Sequence, residues 1–179
     1  MKRSNIILGL LMAFTLSSCE LVKEATETEF DAGIVKDISI NLTAEDPLIE
    51  ETILVNIKED EEVDKYYDKL KDVEIERISL KIADLSATGE NKMTDGYLAY
   101  SAITNAEETL LYNFQSVDLN ALNSGASLDL PITADNFSKL EALLLSPGYL
   151  TFYLKGTMEE VPTTLTLLLT INTKITAGL

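Results

Sequence analysis

The sequence predicts a mainly β fold, an antiparallel two-sheet β-sandwich of the immunoglobulin-like or Greek-key type with about eight strands and two short connecting helices. Three observations predict it. Apolar and polar residues alternate in about eight segments, only two segments have a helical period, and 46% of the 179 residues are hydrophobic. Two sheets that each bury one face form a sandwich when they pack together, and a closed barrel is the main alternative.

The first strand is predicted from Phe30 to Leu42, because apolar residues take the even positions and most polar residues the odd ones. Lys36 falls on the apolar side, so we expect a strand edge or a bulge there. A second strand is predicted over 51–57, where β-branched residues alternate with polar ones.

The clearest helical pattern covers about 59–70. Val63, Tyr66, Tyr67 and Leu70 take the i, i+3, i+4 and i+7 positions of one apolar stripe. Acidic residues at its start and lysines toward its end match the helix dipole. Tyr66 and Tyr67 are possible contact residues, since tyrosine favours binding surfaces, but their spacing favours core packing for at least one of them.

A third strand is predicted from 73 to 82, with a bulge near Glu76-Arg77 where the apolar residues change from odd to even positions. A second helix is predicted at about 135–145, with Thr133 as its N-cap. The other strands predicted before the C-terminal segment are 97–103, 110–119 and 128–132.

The C-terminal segment shows the strongest alternation in the chain. Apolar residues share one face of a strand at 150–154 and of a longer strand at 161–175, whose other face is rich in threonine. We expect the two strands to form a hairpin with one buried and one wet side.

The N-terminal residues have the order of a bacterial signal peptide. Two basic residues precede an apolar stretch at 6–16, which is shorter than the roughly 20 residues that cross a bilayer as a helix. The next residues, Leu16-Ser17-Ser18-Cys19, resemble the lipobox of bacterial lipoproteins. This resemblance implies cleavage after residue 18, and a diacylglycerol and usually an N-acyl chain on Cys19, which together anchor a protein stably. The sequence has no second cysteine to pair with Cys19.

We therefore expect a signal peptide at 1–18, a lipidated N-terminus and tether at 19–29, and a single β-sandwich domain at 30–179. Glu20 stands where some bacteria use Asp to retain a lipoprotein in the inner membrane, so we expect the outer membrane, on its periplasmic side or at the cell surface. The order of elements, from the helix through strand 73–78 to the final strand, resembles small β-sandwich lipoproteins of Gram-negative cell envelopes. That resemblance implies a fold and a location but no activity.

Composition excludes several classes of function. Without residues 1–18 the chain has 12 basic against 30 acidic residues, a formal net charge of −18. Such a domain repels nucleic acid and anionic membrane surfaces, so we expect no nucleic-acid partner and a membrane contact through the lipid alone. The chain has no histidine, and its single cysteine is the lipidation site, which excludes Ser-His-Asp and Cys-His catalysis and the usual zinc sites. We expect no enzyme activity and no cofactor besides the covalent lipid.

One segment, 84–95, resembles a calcium-binding loop in part, with oxygen side chains at positions one, three and five and a glycine at six. Ser and Thr replace the usual acids, a lysine stands at position nine, and Asp replaces the final Glu. We therefore expect a polar loop without metal. The candidate ligands are Asp84, Ser86, Thr88, Glu90 and Asp95.

The leading hypothesis is a non-enzymatic envelope module that contacts another envelope protein or an extracellular ligand. A second hypothesis is a carrier of a lipophilic ligand, in a cavity lined by the inner faces of 110–119, 150–154 and 161–171. A third is a surface-fibre or adhesin subunit that donates its strand 163–176 to a neighbour.

Overall fold

The computed structural model describes residues 26–86, 91–103, 107–161 and 163–179. These residues form two four-stranded antiparallel sheets that pack face to face. The first sheet contains, in spatial order, β1 (Glu27–Leu42), β8 (Thr163–Gly178), β3 (Leu70–Ser86) and β6 (Ser127–Asp129). The second sheet contains β2 (Leu48–Asn56), β7 (Tyr149–Met158), β4 (Lys92–Ser101) and β5 (Thr109–Asp118).

The strand order is that of a jelly roll, the eight-stranded arrangement of two Greek keys. The predicted two-sheet antiparallel sandwich of the Greek-key type is therefore confirmed. The predicted C-terminal hairpin is wrong, because β7 pairs with β2 and β4 whereas β8 pairs with β1 and β3 in the other sheet. Alternation shows which face of a strand is buried, but not which strand lies beside it.

The core lies between the sheets and follows from the alternation of each strand. In β8 the side chains of Leu165, Leu169 and Ile171 are almost fully buried, and Phe152 of β7 is fully buried. The buried hydrophobic side chains of the described residues lie between Ala32 and Ala177. Full burial of a Leu, Ile or Phe side chain stabilises a fold by about 1.5–3 kcal/mol, so this core is the main source of stability.

The helix predicted at 59–70 exists but is shorter. It is the α-helix α1 (Glu61–Tyr66), flanked by 3₁₀ turns at Ile57–Glu59 and Tyr67–Lys69. It ends early because β3 begins at Leu70, which pairs with Ala177 of β8, and tertiary pairing outweighs helix propensity. The N-cap is Asp60, whose carboxylate accepts hydrogen bonds from the backbone N–H groups of Glu62 and Val63.

Asp60→Ala is expected to lower the free energy of unfolding by about 1 kcal/mol, because two backbone donors lose their acceptor. Urea denaturation measures the loss. Glu61→Ala changes an exposed neighbouring acid and serves as the control, with an expected effect within about 0.5 kcal/mol. Equal losses in the two variants would contradict the capping role.

A bulge was expected near Glu76-Arg77, and a strand edge or a bulge was expected at Lys36. The bulge predicted near Glu76-Arg77 is confirmed, because the register of β3 against β8 shifts between Ile75 and Arg77. A bulge at Lys36 is wrong, since β1 pairs with β8 in unbroken register along its whole length. Lys36 lies instead on an edge strand, where its ammonium group forms an ion pair with Glu59 beside α1.

The second predicted helix is confirmed as α3 (Ala134–Leu145), with Thr133 as its N-cap. The helix α2 (Leu119–Asn123) was not predicted, because Leu119 continued the apolar pattern of β5. Asp118 ends that strand and caps α2 by accepting hydrogen bonds from the N–H groups of Asn120 and Ala121. The short strand β6 and the helices α2 and α3 all contact β3, so they close that side of the first sheet.

Candidate functional site

Several predicted site residues lie outside the described residues. These are Cys19 with the whole signal peptide, and Thr88 and Glu90 of the calcium-like segment. Lipidation of Cys19 therefore stays a prediction. Within the described residues, no helix is long and apolar enough to cross a membrane.

The described candidates for calcium ligands lie on strands of different sheets. Asp84 and Ser86 belong to β3 of the first sheet, whereas Asp95 belongs to β4 of the second sheet. The predicted loop 84–95 is thus shorter than expected, because both strands extend into it. Among the residues that the structure describes, no group of three or more His, Cys, Asp or Glu side chains could hold a metal ion.

Tyr66 and Tyr67 are both half-buried and both make packing contacts. The ring of Tyr66 lies 5.7 Å from that of Phe30. The Tyr67 hydroxyl donates a hydrogen bond of 2.8 Å to the carbonyl oxygen of Pro147, and the ammonium group of Lys58 lies 3.7 Å above its ring. These contacts attach the α1 segment to the sandwich, so packing accounts for both tyrosines.

The outer face of the first sheet is polar. Along β8 the outward positions carry mainly threonines, with Leu168, Asn172 and Lys174, and most of these side chains are half-exposed. Lys174 forms an ion pair of 2.9 Å with Glu29, and Arg77 lies 3.9 Å from Asp129. On the described strands of this face, Val35 is the one exposed large hydrophobic side chain. A mainly polar outer face of this kind is typical of a sheet with one side in water.

The outer face of the second sheet differs in that it exposes large apolar and aromatic side chains at its edges and at one end, around a middle in which Thr151, Tyr153 and Ala99 are buried. Leu54 is 54% exposed, Leu110 is 50% exposed and Tyr149 is 41% exposed. We call the outward side chains of β2, β7, β4 and β5 the contact face. Residues that pair across neighbouring strands form rows on this face, and Tyr149 pairs with Asn56 at one end. Read from β2 toward β5, the next three rows are Leu54, Thr151 and Ser101; Thr52, Tyr153, Ala99 and Leu110; and Glu50, Lys155, Tyr97 and Asn113.

The centre of the contact face is polar and held in place by hydrogen bonds. Lys155 donates a hydrogen bond of 2.7 Å to one carboxylate oxygen of Glu108, and the Tyr97 hydroxyl donates one of 3.3 Å to the other. The hydroxyl groups of Ser101 and Tyr153 lie 3.1 Å apart. The hydrogen bonds to Glu108 and then to Tyr97 raise the pKa of Lys155, which keeps its ammonium group charged.

Only part of this face could be predicted from the sequence. Tyr149, Thr151 and Tyr153 take every second position of β7 and so share one face of the strand, although Thr151 and Tyr153 are themselves buried. Leu110 begins the predicted strand 110–119 and lies on its outer face. An extra residue, Leu111, shifts the register of β5 against β4 and turns Leu110 outward.

Two grooves lie at the open sides of the sandwich, between edge strands of the two sheets. One has a volume of about 630 Å³ and runs between β5 and the side chains of Ala121, Leu122 and Leu128. The other, of about 380 Å³, lies between β1 and β2 and includes Glu51. The inner faces that a carrier would use, such as those of Leu150, Phe152 and Leu154, are packed in the core.

Glu51 lies on the inner face of β2, opposite the buried Leu154, and burial raises the pKa of its carboxyl above 4.5. A folded pKa above the unfolded one means that ionisation opposes folding, so stability is lost as pH rises through the folded pKa. We expect Glu51→Gln to raise the free energy of unfolding at pH 7 by about 0.5 kcal/mol. The gain should shrink as pH falls toward 4.5.

Urea denaturation of this variant at pH 7 and at acid pH tests the prediction. Glu50→Gln, on the exposed face of the same strand, is the matched control. A gain that is the same at both pH values, or the same in both variants, would show that burial of Glu51 is not its cause.

No family model matches the chain, and no curated protein matches it. Its backbone is similar to viral structures. The decameric BFDV capsid protein matches with a TM-score of 0.39 and 9% identity over 83% of this chain and 98% of that one. Desmodium yellow mottle tymovirus matches with a TM-score of 0.36 and 11% identity over 85% of this chain and 90% of that one. These low scores carry no argument about function.

Proposed function

We propose that the chain is a lipid-anchored protein of the cell envelope that acts as a non-enzymatic interaction module and binds its partner through the contact face. The contrast between the two outer faces of the sandwich carries this proposal. One face is threonine-rich and charged, whereas the other exposes Leu54, Leu110 and Tyr149. Leu54 and Tyr149 lie on the neighbouring strands β2 and β7, and Leu110 lies on the opposite edge strand. Large exposed apolar side chains on one face of a folded domain are typical of interaction surfaces.

The middle of the contact face supports the same proposal. Tyrosine is enriched among the residues that contribute most to binding, and Tyr97 and Tyr149 are both accessible. Lys155 and Glu108 are about one-third exposed and bonded to each other, so their charges are already positioned before a partner arrives. Such a pair gives orientation and specificity more than affinity.

The lipid anchor is supported by Leu16-Ser17-Ser18-Cys19. β1 begins at Glu27, eight residues after Cys19, so an extended tether spans at most about 29 Å. A domain held that close to the outer membrane meets other envelope proteins or ligands at the membrane surface. Cys19→Ser is expected to remove labelled palmitate from the protein and to release it from the membrane fraction. Continued labelling of this variant would contradict the anchor.

Site-specific photo-crosslinking in intact cells tests the contact face. A photoreactive amino acid at Leu54 or Leu110 is expected to give a discrete crosslinked product. The same group at Ser39, exposed on the outer face of β1, is the control and is expected to give none. Equal products from both faces would remove the support for a specific face. The non-enzymatic role would be contradicted if the purified domain turned over a substrate and the substitution of one carboxylate abolished this activity.

A carrier of a lipophilic ligand is a second candidate, favoured by the groove beside β5. Its volume of about 630 Å³ is in the range of pockets for small molecules, and Phe114, Leu122 and Leu128 line it. Because the core is packed, a ligand would occupy this groove and not the interior. Native mass spectrometry distinguishes the two candidates, since a co-purified lipid supports the carrier and a bare polypeptide mass opposes it.

Donation of the last strand to a neighbour, as in a fibre subunit, has less support. β8 lies inside the first sheet and pairs with β1 on one side and β3 on the other. Its removal would expose both neighbours and the core that they cover.

A further inference from the structure

The strand β5 is an edge of the second sheet, and among the described strands only β4 pairs with it. An edge strand presents backbone N–H and C=O groups that can pair with another strand. Proteins prevent such pairing with charges that point inward, with lysine or proline on the edge, or with very short edge strands. The four edge strands of this sandwich differ in this protection.

Three of the four edges are protected. Lys36 of β1 lies opposite the buried Leu169, and Glu51 of β2 lies opposite the buried Leu154, so both charges are on inner faces. The strand β6 has only three residues. By contrast, β5 has ten residues, no proline, and a single charged residue, Asp118 at its end.

The groove of about 630 Å³ gives a second strand access to β5. All seven residues from 112 to 118 line one wall, so the groove runs along the length of the strand. The opposite wall is formed by Ala121 and Leu122 of α2 and by Leu128 of β6. An incoming strand therefore has space beside β5 without the displacement of α2 or β6.

We infer that a second copy of this chain pairs with the first through β5, antiparallel and across a two-fold axis. The two second sheets then form one eight-stranded sheet. In such a symmetric contact the same patch serves both copies, and each residue pair occurs twice. The dimer leaves the contact face accessible on both copies, so the inference is separate from the proposed partner.

Charge makes β5 the long edge at which a second copy is repelled least. The chain has a formal net charge of −16, so most of its surface repels another copy. Antiparallel self-pairing centred on Gln115 sets Asp118 opposite Tyr112 and brings no two charged residues opposite each other. The other long edges carry more charge, with five charged residues in β1 and two in β2.

Sedimentation equilibrium of residues 20–179, which retain every strand and the whole core of the described sandwich, tests the inference. We expect a monomer–dimer equilibrium between about 1 µM and 1 mM. Gln115→Glu sets two carboxylates opposite each other at the axis and is expected to weaken the dimer about fivefold. Thr52→Glu adds the same charge to the edge strand β2 and is expected to leave the dimer unchanged.

A cysteine variant gives a second test, because residues 20–179 contain no cysteine. Directly opposed residues of antiparallel strands have Cα atoms about 4.5–5.5 Å apart, a separation that a disulfide spans. With oxidised glutathione, Gln115→Cys is expected to give a covalent dimer and Thr52→Cys is expected to stay monomeric. A chain that remains monomeric at about 1 mM, or equal dimer yields from the two cysteine variants, overturns the inference.

Discussion

Replacement of Phe152 by alanine is expected to lower the free energy of unfolding by about 3–5 kcal/mol, the largest effect among the substitutions considered. The ring is fully buried between the sheets, and its backbone pairs with Ile53 of β2 and Tyr100 of β4. Removal of the ring loses its transfer free energy and leaves a cavity beside residues of the two neighbouring strands.

Thermal unfolding measures this loss as a fall of about 6–20 °C in the melting temperature. Phe137→Ala is the matched control, since Phe137 of α3 is only half-buried and should cost clearly less. A Phe152 variant that is as stable as the Phe137 variant would contradict the packed interior and reopen an internal cavity for the carrier.

Gly148→Ala is expected to cost about 2–4 kcal/mol, for two reasons that act together. The backbone of Gly148 has a φ of +86°, a conformation that is strained for an alanine. In addition, an added Cβ would lie 2.7 Å from Cε2 and 2.9 Å from Cζ of the Tyr67 ring. That ring is held by its hydrogen bond to Pro147, so it has little freedom to move away.

A double-mutant cycle in urea separates the two causes. Gly148→Ala should cost less when Tyr67 is already alanine, because the steric part then disappears and the strain remains. Gly33→Ala is the control, since an added Cβ there meets nothing within 4 Å, and its effect should stay within about 0.5 kcal/mol. Full additivity in the cycle would show that contact with Tyr67 contributes nothing.

The buried faces of the strands could be predicted from the sequence because burial is a local pattern. Leu165, Leu169 and Ile171 alternate with polar residues, and the structure buries all three. The neighbours of each strand could not be predicted in this way. The pattern of β8 is the same whether it lies beside β7 or between β1 and β3, since pairing depends on contacts far apart in the chain.

The contact face was harder to predict for a related reason. Alternation assigns a residue to the outer face but does not show whether it contacts a partner. Leu54 therefore could not be distinguished from any other outward residue of a strand. Leu110 followed the apolar pattern but was turned outward by one extra residue in β5. Tyr66 and Tyr67 were candidates because of their residue type. Within the fold, however, the Tyr66 ring packs against Phe30 and the Tyr67 hydroxyl donates a hydrogen bond to Pro147.

A partner bound to the contact face should shield that face in the intact cell envelope, and the accessibility of single cysteines measures this shielding. Leu54→Cys and Ser39→Cys place one thiol on each outer face of the sandwich, in a chain whose only other cysteine is the predicted lipidation site. Labelling of both variants by a maleimide is compared between the purified domain and intact envelopes. We expect the thiol at position 54 to be labelled in the purified domain and protected in the envelope, whereas the thiol at position 39 should be labelled in both. Equal labelling of the two positions in the envelope would contradict a partner on the contact face.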